Sequence, residues 1–226
     1  MVESTGDAKN RLSHRWDEMK TNLDIRVVEL LCSRLCHELV SPVGAINNGV
    51  ELIEEMGAEM ADEAIGLIAH SADQASRRLR LLRLAYGAAG DTSGLKDVAQ
   101  AAEAYFTGGK IKLDWQPGRL EQAAPPRQGT GKVLINLVIL AEEALAHGGR
   151  VSVEPGPDGS PRVVATGRNA GLRAETSQAL SGAVEVESLS PRTVHAYVTG
   201  RFAEHHGMRV ACDQQGPESL VFKLIN

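Results

Sequence analysis

The run LLCSRLCHELVSPVGAINNGVELIEEMG, residues 30–57, decides how the rest of the chain is read. Its apolar residues recur at intervals of three and four, the period of one helix face, and the pattern extends back to Leu23 with Asn22 as the expected cap. Gly57 supplies the stop. At about 100° per residue, Val28, Cys32, Leu35, Leu39, Val43, Ile46, Val50 and Ile53 all point within roughly 60° of the side opposite His37. They form a nearly unbroken apolar stripe. Ser33, Arg34, Ser41, Gly44, Asn48 and Glu51 fall within about 60° of His37 itself, so the histidine is expected on the wet face of a well-buried helix. Leu30 shares that wet face and is expected to be contact surface for a partner.

The neighbours of His37 give it a chemical meaning. A histidine that accepts a phosphoryl group needs an unhindered ring nitrogen, and the small Ser41 and Gly44 leave room on the turns above it for a second protein. Glu38 is placed to orient the other ring nitrogen, and Arg34, one turn below, to contact the transferred group. Asn48 lies farther along the face and suits partner contact. Pro42 has no amide hydrogen, so the bond toward the Glu38 carbonyl is missing and a local bend is expected.

Outward from this helix, a second helical pattern runs from about Met60 to Tyr86, and the glycines at 87, 90 and 94 end it. Two long helices joined by a short turn make an antiparallel hairpin with too much apolar surface to stand alone. Helices of this length favour pairing with a second copy into a four-helix bundle. Beyond a boundary near residues 88–94 the character changes. A helix over 95–105 and the strand-like KIKLDW at 110–115 precede a Pro/Gly-rich loop, PGRLEQAAPPRQG at 117–129, and a strong apolar helix from Gly131 to Gly148. RVSVEP, RVVATG, AVEVES and ESLVFKLI then read as strands, with TVHAYVTGRFAEHHG a helix between the last two. The expected fold class is α+β: residues 1–22 a flexible segment with Trp16 its one large anchor, 23–90 a dimerising helical hairpin, and 91–226 a two-layer α/β sandwich.

Composition closes several routes. Of 226 residues 42% are hydrophobic and 4% aromatic, and the formal net charge is -5; with no basic tract, nucleic acid is excluded as a partner. No run of about 18 apolar residues suits a bilayer and no signal core is visible, which points to the cytoplasm rather than a membrane. Cys32, Cys36 and Cys212 read as buried thiols. His205–His206 are adjacent and face different directions, so no metal site is expected there. His70 and His147 take structural or surface readings, His195 falls at the start of the last helix, and Glu142–Glu143 read as an acidic helix surface.

HELVSPVGAINNG, from His37 to Gly49, resembles the phosphoacceptor box of two-component histidine kinases through His37, Glu38, Leu39, Ser41 and Pro42. With Cys36 before it and the run Ala45 to Leu52 after it, the segment is closer to the ChpT-type histidine phosphotransferases of alphaproteobacteria. That resemblance implies a homodimer whose hairpin carries phosphate on His37, followed by a degenerate kinase-like ATPase domain that steadies the dimer and adds docking surface. It also implies partners: the receiver domain of a hybrid histidine kinase and downstream response regulators, in cell-cycle control. In the helix GKVLINLVILAEEALAHGG the position of the kinases' magnesium-binding asparagine holds Leu140, while Asn136 matches only the upstream asparagine. ATGRNAGLR, 165–173, lacks the adenine-positioning aspartate, and no glycine-rich lid precedes the last helix. Phosphoryl transfer from ATP needs metal and phosphate-cradling groups together, so no intrinsic cofactor and no ATP binding are expected, with Mg2+ belonging to the receiver. The alternatives are an ATP-dependent histidine kinase and a non-catalytic dimeric scaffold.

Overall fold

The computed structural model describes residues 24–57 and 60–225. Residues 1–22, with Trp16 and the expected cap Asn22, lie outside the described residues. The first helix, α1, spans Ile25–Met56 and is capped by Asp24, whose carboxylate accepts from the Arg26 amide at 2.8 Å; a short acceptor at this position satisfies one of the amides a helix start leaves open. Gly57, at φ 62°, ends it in the left-handed region that glycine tolerates. The second helix, α2, spans Ala61–Tyr86 and folds back along α1.

The two helices meet over Pro42 and Gly49, the buried residues of α1. Gly49 is small for a reason: a Cβ there would stand 2.6 Å from Ile68 Cγ1 of α2. The apolar stripe of α1 is therefore divided. Leu35, Leu39, Ile46 and Ile53 are half-buried, whereas Cys32, Val43 and Val50 stay exposed on the single chain. The row is wider than one neighbouring helix can cover. On α2, Ile65 and Leu79 are likewise 56% and 51% exposed.

After the short α3 (Ala89–Thr92) come α4 (Leu95–Phe106), β1 (Ile111–Trp115), α5 (Pro117–Ala123), α6 (Thr130–Glu143), β2 (Gly149–Pro155) and β3 (Pro161–Thr166). Then follow α7 (Ala174–Leu180), a 3-10 turn at Val186–Ser188, α8 (Val194–His205), β4 (Arg209–Gln214) and β5 (Ser219–Ile225). The five strands form one sheet in the order β1-β2-β3-β5-β4. β1 and β2 run parallel, and the other pairs are antiparallel; the parallel pair needs the long crossover that α5 and α6 provide. α6 is buried from Thr130 through Ala141 and lies between the sheet and the hairpin.

Several expectations change here. AVEVES is not a strand: Val184, from a loop, and Val186, from the 3-10 turn, pack on the core. The missed strand is β4, an edge strand mostly half-buried, whose alternation is correspondingly weak. The loop expected at 117–129 begins as α5, since Pro117 suits a first helical turn. Cys32 and Cys36 are exposed and Cys212 half-buried, because the first two lie on the uncovered side of α1.

Gly49→Leu should lower the stability of the full chain by about 1–3 kcal/mol through overpacking against Ile68. Thermal melts at matched protein concentration check this, and an unchanged midpoint would show that α1 and α2 can separate freely at this point.

Candidate functional site

His37 is exposed on α1, and the face above it is open. Ser41 and Asn48 are exposed, and a Cβ placed on Gly44 would meet nothing within 4 Å. Below it the situation reverses. Leu30 is half-buried and packs against the main core, so it is not free contact surface. His37 thus stands where the hairpin emerges from the sandwich.

The expected bond from Glu38 to the histidine ring gives way to a different arrangement, which begins with Pro42. A proline at that position leaves the Glu38 carbonyl without its helical donor. Arg78 of α2 fills the gap: its Nη1 donates to Glu38 O at 2.8 Å and lies 3.2 Å from the Glu38 carboxylate. α1 runs on through Pro42 without interruption. The Arg78 guanidinium also sits over the Tyr105 ring, 5.7 Å from its centroid, and the Tyr105 hydroxyl donates to Glu142 Oε2 at 3.0 Å. Burial pushes the Glu142 carboxyl up to about 7, against the opposing Tyr105 hydrogen bond. Arg78, Tyr105 and Glu142 line a groove of about 700 Å3 between α2, α4 and the end of α6.

Arg34, expected to face the transferred group, turns toward the sandwich. It donates to Glu143 Oε1 at 2.5 Å and to Pro191 O at 3.4 Å. The charge of Glu143 raises its pKa despite the opposing effect of burial. On the other side of Glu143, His195 Nδ1 lies 3.2 Å from the same carboxylate oxygen. Burial pushes Glu143 up, but His195 and Arg34 outweigh it and hold the carboxyl below its ordinary range. His195 is completely buried, and that burial sets its pKa low.

Asn136 fixes the orientation of this cluster. Its amide nitrogen donates to Ala85 O and to Lys132 O, both at 2.8 Å, and its Oδ1 lies 3.1 Å from His195 Nε2. Asn136 is therefore a tie between α6, α8 and the end of α2. Leu140, at the kinase asparagine position, is fully buried among apolar neighbours. The segment after β3 is stitched down as well: Gly171 N–H donates to Ala144 O, and Gln214 Nε2 to Ala170 O. His206 bonds Asp91, which also pairs with the buried Lys132 at 2.7 Å. Among the described residues there is no group of three or more His, Cys, Asp or Glu side chains disposed to hold a metal ion. Nor is any described helix long and apolar enough to cross a membrane.

Of the residues singled out in the sequence, His37, Ser41, Gly44 and Asn48 share one accessible face, while Leu30, Arg34 and Glu38 are engaged with other parts of the chain. The glutamates at 142 and 143 belong to these contacts: Glu142 is half-buried, whereas Glu143 stays exposed, as expected of an acidic helix surface. Their only sequence signal is two carboxylates ending a helix that is otherwise apolar.

The chain is similar to known proteins. Residues 95–218 match the family described as the histidine phosphotransferase C-terminal domain. The chain is 38% identical over 199 residues to the protein phosphotransferase ChpT of Brucella abortus (strain 2308), covering 85% of this chain and 92% of the relative. Among solved structures it is similar to a bacterial phosphotransferase, with a TM-score of 0.74 and 33% identity over 90% of this chain and 98% of the other.

Glu142 makes stability depend on pH. Its folded pKa of about 7 lies above the ordinary 4.5, so its contribution is complete below about pH 4.5 and is lost as pH rises through about 7. Glu142→Gln should therefore melt progressively higher than the parent between about pH 5 and 8, with the difference levelling off at the acid end. Melting curves that stay parallel across that window would remove Glu142 from this role.

Proposed function

The chain belongs to the histidine phosphotransferase family, and we propose that it relays a phosphoryl group from one receiver-domain aspartate to another through His37. It is a histidine phosphotransferase of a phosphorelay; the carrier residue, the partners and the absence of ATP chemistry are the further content of the proposal. The observation that carries it is the open face of α1: an exposed histidine whose neighbours upward are a serine, a glycine with free space around it and an asparagine.

In this reading a phosphorylated receiver docks along that face and brings its aspartyl phosphate in line with a ring nitrogen of neutral His37. The nitrogen lone pair attacks phosphorus, the P–N bond forms as the P–O bond to the aspartate breaks, and the carboxylate leaves. The return step delivers the phosphoryl group to the aspartate of a second regulator. Little covalent assistance is required, since in-line transfer depends mainly on positioning and charge stabilisation. Divalent magnesium resides on the receiver, where it neutralises the moving phosphoryl oxygens.

The acting form is a homodimer in the cytoplasm. What supports the dimer is the apolar surface that hairpin packing leaves bare, with Val43 47%, Val50 43%, Ile65 56% and Leu79 51% exposed; a second hairpin covers such rows in a four-helix bundle. The first donor is the receiver domain of a hybrid histidine kinase, and the acceptors are downstream response regulators of cell-cycle control. The sandwich binds no ATP in this scheme, which the apolar burial of Leu140 supports.

The test is transfer of labelled phosphate from a phosphorylated receiver to the full chain. Labelling should be rapid, should vanish in His37→Ala and should never arise from ATP and magnesium alone. Label from ATP would make the protein a kinase, and no label from a panel of receivers would make it a scaffold. In the same assay Gly44→Phe should slow transfer about tenfold or more by filling the docking face, with melting unchanged; full activity in that variant would move the docking face elsewhere.

A further inference from the structure

Two side chains flank His37 on α1, Arg34 one turn below and Glu38 next to it, and both lead to the last residues of α6. Arg34 reaches Glu143 directly at 2.5 Å. Glu38 reaches Glu142 through Arg78 and Tyr105. Glu143 Oε1 also lies 3.2 Å from His195 Nδ1, and Asn136 Oδ1 lies 3.1 Å from the other ring nitrogen. We propose that Glu143 is a positioning residue for phosphotransfer: it ties Arg34, and with it the His37 segment of α1, to the sandwich at a fixed height and angle.

The proposal rests on the relay reading above and adds a cause for the geometry that reading needs. At 1.5 Å per residue, His37 stands only about 4.5 Å along the helix from Arg34, where α1 is fastened to the sandwich. A domain of about 100 residues has a radius of gyration of about 13 Å, so any receiver centred on His37 overhangs the sandwich edge. Such a partner meets two surfaces at once, and the histidine arrives in line only if those surfaces keep their relative position. Below Arg34 the hairpin is held by Arg26 donating to Leu189 O at 3.1 Å, together with the packing of Leu30. Arg34 thus makes the last direct hydrogen bonds from α1 to the sandwich before His37, to Glu143 and to the Pro191 carbonyl, and Tyr86 at the end of α2 hydrogen-bonds it as well.

The experiment measures the kinetics of transfer from a phosphorylated receiver to the full-length protein, comparing the parent with Glu143→Gln, Glu143→Asp, Arg34→Gln and the double variant Glu143→Gln with Arg34→Gln. Positioning predicts that Glu143→Gln lowers kcat about tenfold while KM for the receiver stays within about twofold. Glu143→Asp should recover part of the loss, and the double variant should be no worse than either single one, because both remove one link. An unchanged kcat, a loss confined to KM, or additive losses in the double variant would overturn the proposal; the last would mean that Arg34 acts on the phosphoryl group itself. Should Glu143→Gln fail to fold, Arg34→Gln breaks the same link and is judged by the same kcat and KM criteria. A parent protein that takes no label from any receiver would instead defeat the relay reading on which the proposal stands.

Discussion

A helix buried on every side cannot keep a polar atom without a partner, since an unpaired polar group in the interior costs several times the net gain of making the bond. α6 is such a helix from Thr130 to Ala141, and the molecule is organised around the partners it finds. Lys132 takes Asp91 from the segment that follows the hairpin. Asn136 takes the Ala85 carbonyl at the end of α2 and the ring of His195 on α8. At the exit from the core Glu143 meets Arg34 of α1. The polar residues of one apolar helix therefore specify where both hairpin helices lie.

The surroundings of His37 follow from a second constraint of the same kind. Pro42 deprives the Glu38 carbonyl of its donor, and a guanidinium from the facing helix occupies the vacancy. That exchange keeps α1 continuous and draws Arg78 onto Glu38. Gly49 then lets α2 come close enough for this contact, with Ile68 occupying the space a side chain would have taken. Small residues and a missing hydrogen, rather than reactive groups, account for the exposure of His37.

The sequence made the long elements legible because their periodicity is sustained: α1, α2 and α6 fall within a few residues of where the pattern put them. His37 and the open positions Ser41, Gly44 and Asn48 were legible for the same reason, being direct consequences of helix geometry. What escaped was decided by contacts between distant segments. Arg34 and Glu38 look like servants of the histidine when only α1 is considered, and their true partners, Glu143 and Arg78, are 109 and 40 residues away. Glu142 looks like solvated charge until Tyr105 of α4 reaches it, and Glu143, which stays exposed, shows its role only through Arg34 of α1. AVEVES alternates like a strand but finds no edge to join, whereas β4, with a weaker pattern, completes the sheet beside β5. The width of the apolar stripe on α1 was visible, but its division between α2 and an uncovered side depends on where the packing centre falls.

The Asn136 amide has a bearing on inheritance. Half of its donor capacity is spent on a carbonyl at Ala85, on the hairpin side of the boundary that sequence character suggests. A gene fragment cut between residues 90 and 91 would encode a sandwich whose core amide at Asn136 has lost its Ala85 acceptor. The two halves are thus poor candidates for shuffling: lineages that exchange hairpins must keep the Ala85 carbonyl in register with Asn136.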